Sequence, residues 1–275
     1  MKTRIITAIV AIAIFVPICV FSDYIVFPIA MAVLSAVGVY EMAKCLGLQK
    51  HLALTIPMYI IACVLPISRF LLLRQSHFFM VAMIAIFFML MYSLSYVMLR
   101  KNVDKISDII TLYGLFVYIV GCFSSIVCVR YMASGKYIYL LVFLGAWVCD
   151  TFAYFTGRFL GKHKLIPEIS PKKTVEGSIG GIVFTVGAFA LYGFIINSVY
   201  ADKVYISYVL LIILGLASSV ISQIGDLVAS AIKRQYDLKD YGKLFPGHGG
   251  VLDRFDSVML VAPVTYIVFL IASVI

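Results

Sequence analysis

Charge is what this sequence has least of. Only 13% of its 275 residues are Asp, Glu, Lys or Arg, where soluble domains run near 25%. No polar stretch exceeds an ordinary loop in length, so no soluble domain is expected. Chemical motifs of several kinds are missing as well. The sequence holds no C-x-x-C, no H-E-x-x-H and no G-x-x-x-x-G-K-[ST], which argues against zinc, dithiol and Walker-type sites. Six cysteines (19, 45, 63, 122, 128 and 149) lie in or beside apolar runs and read as small buried hydrophobes rather than disulfides or metal ligands. No repeat at a fixed period is visible. His51 and His77 read as loop residues. His163 and His248 have no Ser or Cys beside them in sequence, so covalent nucleophilic catalysis has no obvious carrier.

What is there is apolar. Hydrophobic residues make up 63% of the chain, and the long runs suit membrane helices of about 20 residues each. An all-α, polytopic membrane protein with about nine spans is expected, at roughly 5–22, 24–43, 53–73, 77–98, 108–129, 138–157, 177–199, 205–232 and 257–275. Met1-Lys2-Thr3-Arg4 precedes the first run as a signal peptide would, but no A-x-A-like site closes it, so it is kept as a span. The loops after the second, fourth, sixth and eighth spans hold 15 of the 22 Lys and Arg, among them Arg100, Lys101 and Lys105. By the positive-inside rule both chemically rich loops face the cytoplasm. The net charge of +9 fits cytoplasmic loops beside anionic headgroups. Residues 1–140 read as a transmembrane scaffold without a chemical cluster. Residues 141–275 read as the catalytic region, with polar loops at 158–176 and 233–256.

The second of these loops is the densest polar stretch. Around Pro246-Gly247-His248-Gly249-Gly250 stand Lys233, Arg234, Lys239, Lys243 and Arg254 with Asp237, Asp240, Asp253 and Asp256. Glycines allow a sharp turn and bring backbone N–H groups against an anion such as phosphate. Asp226 lies deep in an apolar run and shares a helix face with Ser230 and Arg234. Burying such a group unpaired costs about 2.5–3.5 kcal/mol or more. One outlet is an ion pair with Lys233 or Arg234; another is a cation shared with Asp253 and Asp256. Those two acids stand one turn apart where the last span begins, which also suits helix capping. Hard oxygen ligands beside phosphates suit Mg²⁺, with or without a second cation.

The first loop offers a second constellation. Asp150, Tyr154 and Arg158 fall at i, i+4 and i+8 on a helix end, followed by Ser170, Lys172, Lys173, Thr174 and Glu176. Cations and hydroxyls at this spacing could hold a polyphosphate; they could equally start a helix and meet lipid phosphates. Spacing does not separate nucleotide from lipid headgroup. Direct, metal-assisted phosphoryl or nucleotidyl transfer suits the whole set.

These residues resemble a known family. S-x-x-K-R-x4-K-D and P-x-H-G-G-x-x-D-R-x-D, here Ser230, Lys233, Arg234, Lys239 and Asp240, then Pro246, His248, Gly249, Gly250, Asp253, Arg254 and Asp256, are similar to the signature of the CDP-diacylglycerol synthases (phosphatidate cytidylyltransferases). The D-x-x-A-Y-x-x-G-R and S-P-K-K-T-x-E-G elements, Asp150 to Arg158 and Ser170 to Gly177, resemble the same family. The resemblance covers residues 145–260. It implies phospholipid biosynthesis in which CTP and phosphatidic acid give CDP-diacylglycerol and pyrophosphate. It also implies Asp226 and Asp253 as metal ligands supported by Asp256, and basic residues shared between nucleotide and lipid phosphates. His248 is either a phosphate contact or part of the turn's shape. The expected partners are CTP, phosphatidic acid and membrane lipid, not nucleic acid, and a homodimer stays open. A bacterial inner membrane fits the charge count. The alternatives are a CTP-dependent polyprenol-type kinase or related cytidylyltransferase, which should lack the full second string, and, more distantly, an ion-coupled transporter. Transporters often carry inverted repeats and broken helices, and neither is visible here.

Overall fold

The computed structural model describes residues 2–72, 74–99 and 106–272, with the side chains of 2–5 left aside. Arg100, Lys101 and Lys105, counted above for orientation, lie outside the described residues. Ten helices follow in order: α1 (Lys2–Val20), α2 (Val26–Cys45), α3 (Leu52–Leu71), α4 (Gln75–Leu99), α5 (Ile106–Arg130), the short α6 (Gly135–Ile138), α7 (Leu140–Leu160), α8 (Val175–Val199), α9 (Tyr208–Gln235) and α10 (Leu252–Ala272). Among the described residues eight segments are long and apolar enough to cross a membrane, and Ile6–Val20 is a shorter apolar helix. The all-helical, polytopic expectation therefore holds, with eight long spans against about nine expected. Large apolar side chains such as Ile60, Phe88, Phe159 and Val209 point outward, which is the arrangement for a helix whose solvent is lipid.

Two compact units are present, and neither is contiguous in sequence. One comprises Met1–Tyr131 with Tyr236–Arg254; the other comprises Met132–Gln235 with Phe255–Ile275. In the first, α2 packs on α3 and α5, and α3 also touches α4. Phe27, Leu54, Met58, Phe116 and Phe123 are fully buried there. The loop that follows α9 belongs to this unit.

The second unit is built on close approach. α7 lies along α8, and both meet α9. Small residues line these seams, as expected where helices associate by packing rather than by exclusion of water. A Cβ at Gly181 would lie 3.1 Å from the Cys149 carbonyl oxygen, and one at Gly177 would lie 2.6 Å from that of Ala153. Between α7 and α8 a small hairpin, β1 (Lys164–Ile166) and β2 (Ser170–Thr174), pairs antiparallel with Lys164 opposite Thr174 and Ile166 opposite Ser170. Nothing in Ser-Pro-Lys-Lys-Thr signals a strand. The pairing follows from bringing two helix ends together across a short loop.

Candidate functional site

The second unit gathers three carboxylates. Gly225 lets α9 approach α10 at Asp256: a Cβ there would lie 2.7 Å from the Asp256 carbonyl oxygen. The next residue, Asp226, is thereby carried to Asp256, whose electrostatic neighbours are Asp226, Asp150 and the cation of Lys233. Asp150, on α7, accepts from Ser257 Oγ at 2.8 Å, and Asp256 Oδ1 accepts from Ser257 N at 2.9 Å. Ser257 is buried, so it spaces two acids that stand on different helices. It belongs to no motif and had no signal in the sequence. Asp226 accepts from Ser230 Oγ at 3.4 Å, the i, i+4 contact expected on one helix face.

The cation that meets Asp226 is Lys173, whose Nζ lies 2.7 Å from Asp226 Oδ2 and 3.4 Å from the Gln223 carbonyl oxygen. The sequence offered Lys233 or Arg234 for that part, because both follow Asp226 on the same helix. The hairpin supplies Lys173, a pairing only the tertiary fold can make. Lys172, its neighbour on β2, is exposed, as is Arg234 at the end of α9.

The hairpin itself is held by residues close to it in sequence. Thr174 N-caps α8, its Oγ1 accepting from Gly177 N at 3.1 Å. Glu176 accepts from Lys162 N at 3.1 Å and His163 N at 3.2 Å, and stands 2.7 Å from His163 Nδ1. Thr174, offered as a phosphate donor or a helix start, and Glu176, offered as a helix start, fasten the loop. Arg158 donates to the Tyr154 hydroxyl at 3.1 Å, along the face the spacing predicted, whereas Asp150 turns to Ser257. Ser170 is half-buried opposite Ile166.

The first unit holds the glycine turn. Phe245 N donates to the Gly249 carbonyl at 2.8 Å, and His248 N to that of Phe245 at 2.8 Å. Closing so tight a loop puts Gly247 at φ 78° and Gly249 at φ 90°, where side chains are strained. Asp253 Oδ2 accepts from Tyr241 N at 2.8 Å and Gly250 N at 2.9 Å. Thr7 Oγ1 of α1 donates to the Pro246 carbonyl at 2.9 Å. The turn encloses an open cleft of about 630 Å³ lined by Lys239, Asp240, Lys243, His248 and Arg254 among others, within the usual range for small-ligand sites. His248 Nδ1 is buried without a hydrogen-bond partner among the described residues. An orphaned polar atom in a basic cleft suits a bound anion.

Glu41, on α2, completes this loop. It is 3% exposed, and accepts from Val251 N at 3.0 Å and Leu252 N at 2.9 Å. A carboxylate inside an apolar span is a functional candidate on its own, and that rule selects Glu41 as readily as Asp226. Residues 1–140, expected to lack a chemical cluster, thus contribute one of the two buried acids that hold the polar loop.

The donor set in the second unit suits a divalent cation. Mg²⁺ takes one or two protein carboxylates with water and substrate oxygens, and Asp226 and Asp256 are hard oxygen donors within electrostatic reach of each other. Among the described residues no group of three His, Cys, Asp or Glu is gathered closely enough to cage a metal. Asp253 directs one oxygen to two backbone N–H groups of its own loop.

Comparison with known proteins covers almost the whole chain. A profile of the cytidylyltransferase family matches residues 2–272. A phosphatidate cytidylyltransferase of Bacillus subtilis (strain 168) is 34% identical over 271 residues, 97% of this chain and 96% of its own. One of Staphylococcus haemolyticus (strain JCSC1435) is 35% identical over 277 residues, 98% of this chain and 99% of its own. One of Thermotoga maritima is 37% identical over 169 residues, 62% of each.

Proposed function

As the chain belongs to the cytidylyltransferase family, we propose that it is a phosphatidate cytidylyltransferase, making CDP-diacylglycerol and pyrophosphate from CTP and phosphatidic acid. It is an integral membrane enzyme of the nucleotidyltransferase class. The observation that carries the chemistry is the electrostatic neighbourhood of Asp226, Asp256 and Asp150, like charges within apolar helices. Such a cluster is costly to maintain without a counter-charge.

In this reading a phosphate oxygen of phosphatidic acid attacks the α-phosphorus of CTP. The bond from that phosphorus to the bridging oxygen of the β-phosphate breaks, and pyrophosphate leaves. Asp226 and Asp256 would hold Mg²⁺, which when bound neutralises charge gathering on the leaving group. Lys173 keeps Asp226 oriented through their ion pair. Ser257 sets the spacing of Asp150 from Asp256. Lys239, Lys243, His248 and Arg254 bind phosphate in the cleft of the glycine turn; Lys172, Lys233 and Arg234 are the further candidates for phosphate contact. The loop charges favour a bacterial inner membrane with these loops on the cytoplasmic side.

Purified protein in detergent, given CTP, phosphatidic acid and Mg²⁺, should release pyrophosphate and form CDP-lipid in equal amounts, and neither product without lipid or metal. Nucleotide turnover that is indifferent to phosphatidic acid would overturn the assignment.

A further inference from the structure

Several of the buried hydroxyls bond back to carbonyls of their own helices, as Ser93, Thr185 and Thr265 do. Glu41 is different, because both hydrogen bonds its carboxylate accepts come from the end of the glycine-turn loop and the start of α10. We infer that Glu41 is a positioning residue: its carboxylate sets the shape of the glycine turn and of the cleft beneath it, without touching substrate.

Three observations carry this. First, Val251 N and Leu252 N are among the N–H groups that the start of α10 leaves without helical partners, and Glu41 takes both. The helix terminus in turn favours a negative charge at that point, which is how a carboxylate 3% exposed can sit in an apolar helix. Second, both arms of the loop close upon it. A Cβ on Gly242 or on Gly250 would collide with Glu41 Oε1. For Gly250 the three nearest atoms, Oε1, Oε2 and Cδ, all belong to Glu41. Neither glycine has a positive φ, so close approach to this carboxylate accounts for the missing side chains. Third, Asp253 fastens the same loop from within, through Tyr241 N and Gly250 N. Two buried acids therefore hold four backbone N–H groups between Tyr241 and Leu252, and Glu41 is the one anchored outside the loop. The turn that presents Lys243, His248 and Arg254 to the cleft is thus tied to α2 through the Glu41 side chain.

The link to substrate binding rests on the proposed reading of the cleft as a phosphate site; the loop's dependence on Glu41 does not. Amide hydrogen exchange and kinetics on the full-length protein separate the two. Glu41→Gln puts an amide group where the carboxylate accepted both N–H donors. It should speed exchange at Val251 and Leu252 about tenfold or more, with exchange in α3 and α5 unchanged. The KM for CTP should rise by about tenfold, with a smaller fall in kcat. Gly250→Ala should show the same local loosening. Because the added methyl fills space that Glu41 occupies, Glu41→Ala/Gly250→Ala should be no worse than Gly250→Ala alone. If Glu41→Ala does not fold, the exchange profiles of Glu41→Gln and Gly250→Ala decide the matter. Unchanged exchange at Val251 and Leu252 in Glu41→Gln would overturn the inference, as would losses that multiply in the double variant. A wild-type protein that forms no CDP-lipid would defeat the proposed function and leave the exchange result to judge Glu41.

Discussion

The two polar loops draw their main fasteners from different distances along the chain. The hairpin between α7 and α8 is shaped by its neighbours Thr174 and Glu176, with Lys173 reaching Asp226 on α9. The glycine turn before α10 is fastened by Glu41, more than two hundred residues earlier in the chain. A locally fastened loop can form as soon as its two helices meet. A remotely fastened one takes shape only when a separate helix has packed, so its geometry depends on the fold as a whole. The first arrangement should tolerate single changes to its fasteners; the second should not.

The largest effect is expected where the acids meet. Asp226→Asn or Asp256→Asn should lower kcat roughly a hundredfold or more while the protein remains folded, since a neutral amide is a poor ligand for a hard cation. Circular dichroism and turnover across a Mg²⁺ series would check this; near-normal rates at limiting Mg²⁺ would count against it. Asp253→Asn sharpens the contrast between loops. It too should remove most activity in a folded protein. If Asp253 acts by holding Tyr241 and Gly250, excess Mg²⁺ will not restore the rate. If it acts as a ligand, excess Mg²⁺ will restore part of it.

Lys173→Ala comes next. It removes one cation from Asp226, and a fall of about tenfold in kcat/KM is expected, with a changed Mg²⁺ dependence. Lys173→Arg should recover part of the loss. The smallest effect is expected at the exposed fastener of the hairpin. His163→Ala deletes a contact on a surface side chain, and activity should stay within about threefold of wild type. A loss there as large as for Glu41→Gln would erase the difference between the loops.

Much of this was legible in the residues. Apolar runs marked the helices because lipid demands long uninterrupted stretches. Asp226 and Asp256 stood out as acids at or within such runs. The helix face of Tyr154 and Arg158 followed from spacing, and the contact is present. Illegible were the partners that only packing creates. Lys173 reaches Asp226 because a hairpin forms between α7 and α8, and nothing local foretells that hairpin. α10 begins at Leu252 rather than near 257, because Glu41 takes N–H groups at its start. The role of Ser257 depends on where Asp150 lies on another helix. For Thr174 a cap and a phosphate contact both call for a hydroxyl, and spacing alone does not separate them.

The central claim is that the cytidylyl group of CTP, with its α-phosphorus, moves to a lipid phosphate. CTP labelled at the α-phosphorus and CTP labelled at the γ-phosphorus, each turned over with phosphatidic acid, test it directly. The account predicts that the α-label enters the lipid fraction and the γ-label leaves as pyrophosphate in equal amount. The γ-label appearing in lipid, with CDP released, would contradict it and establish a lipid kinase instead.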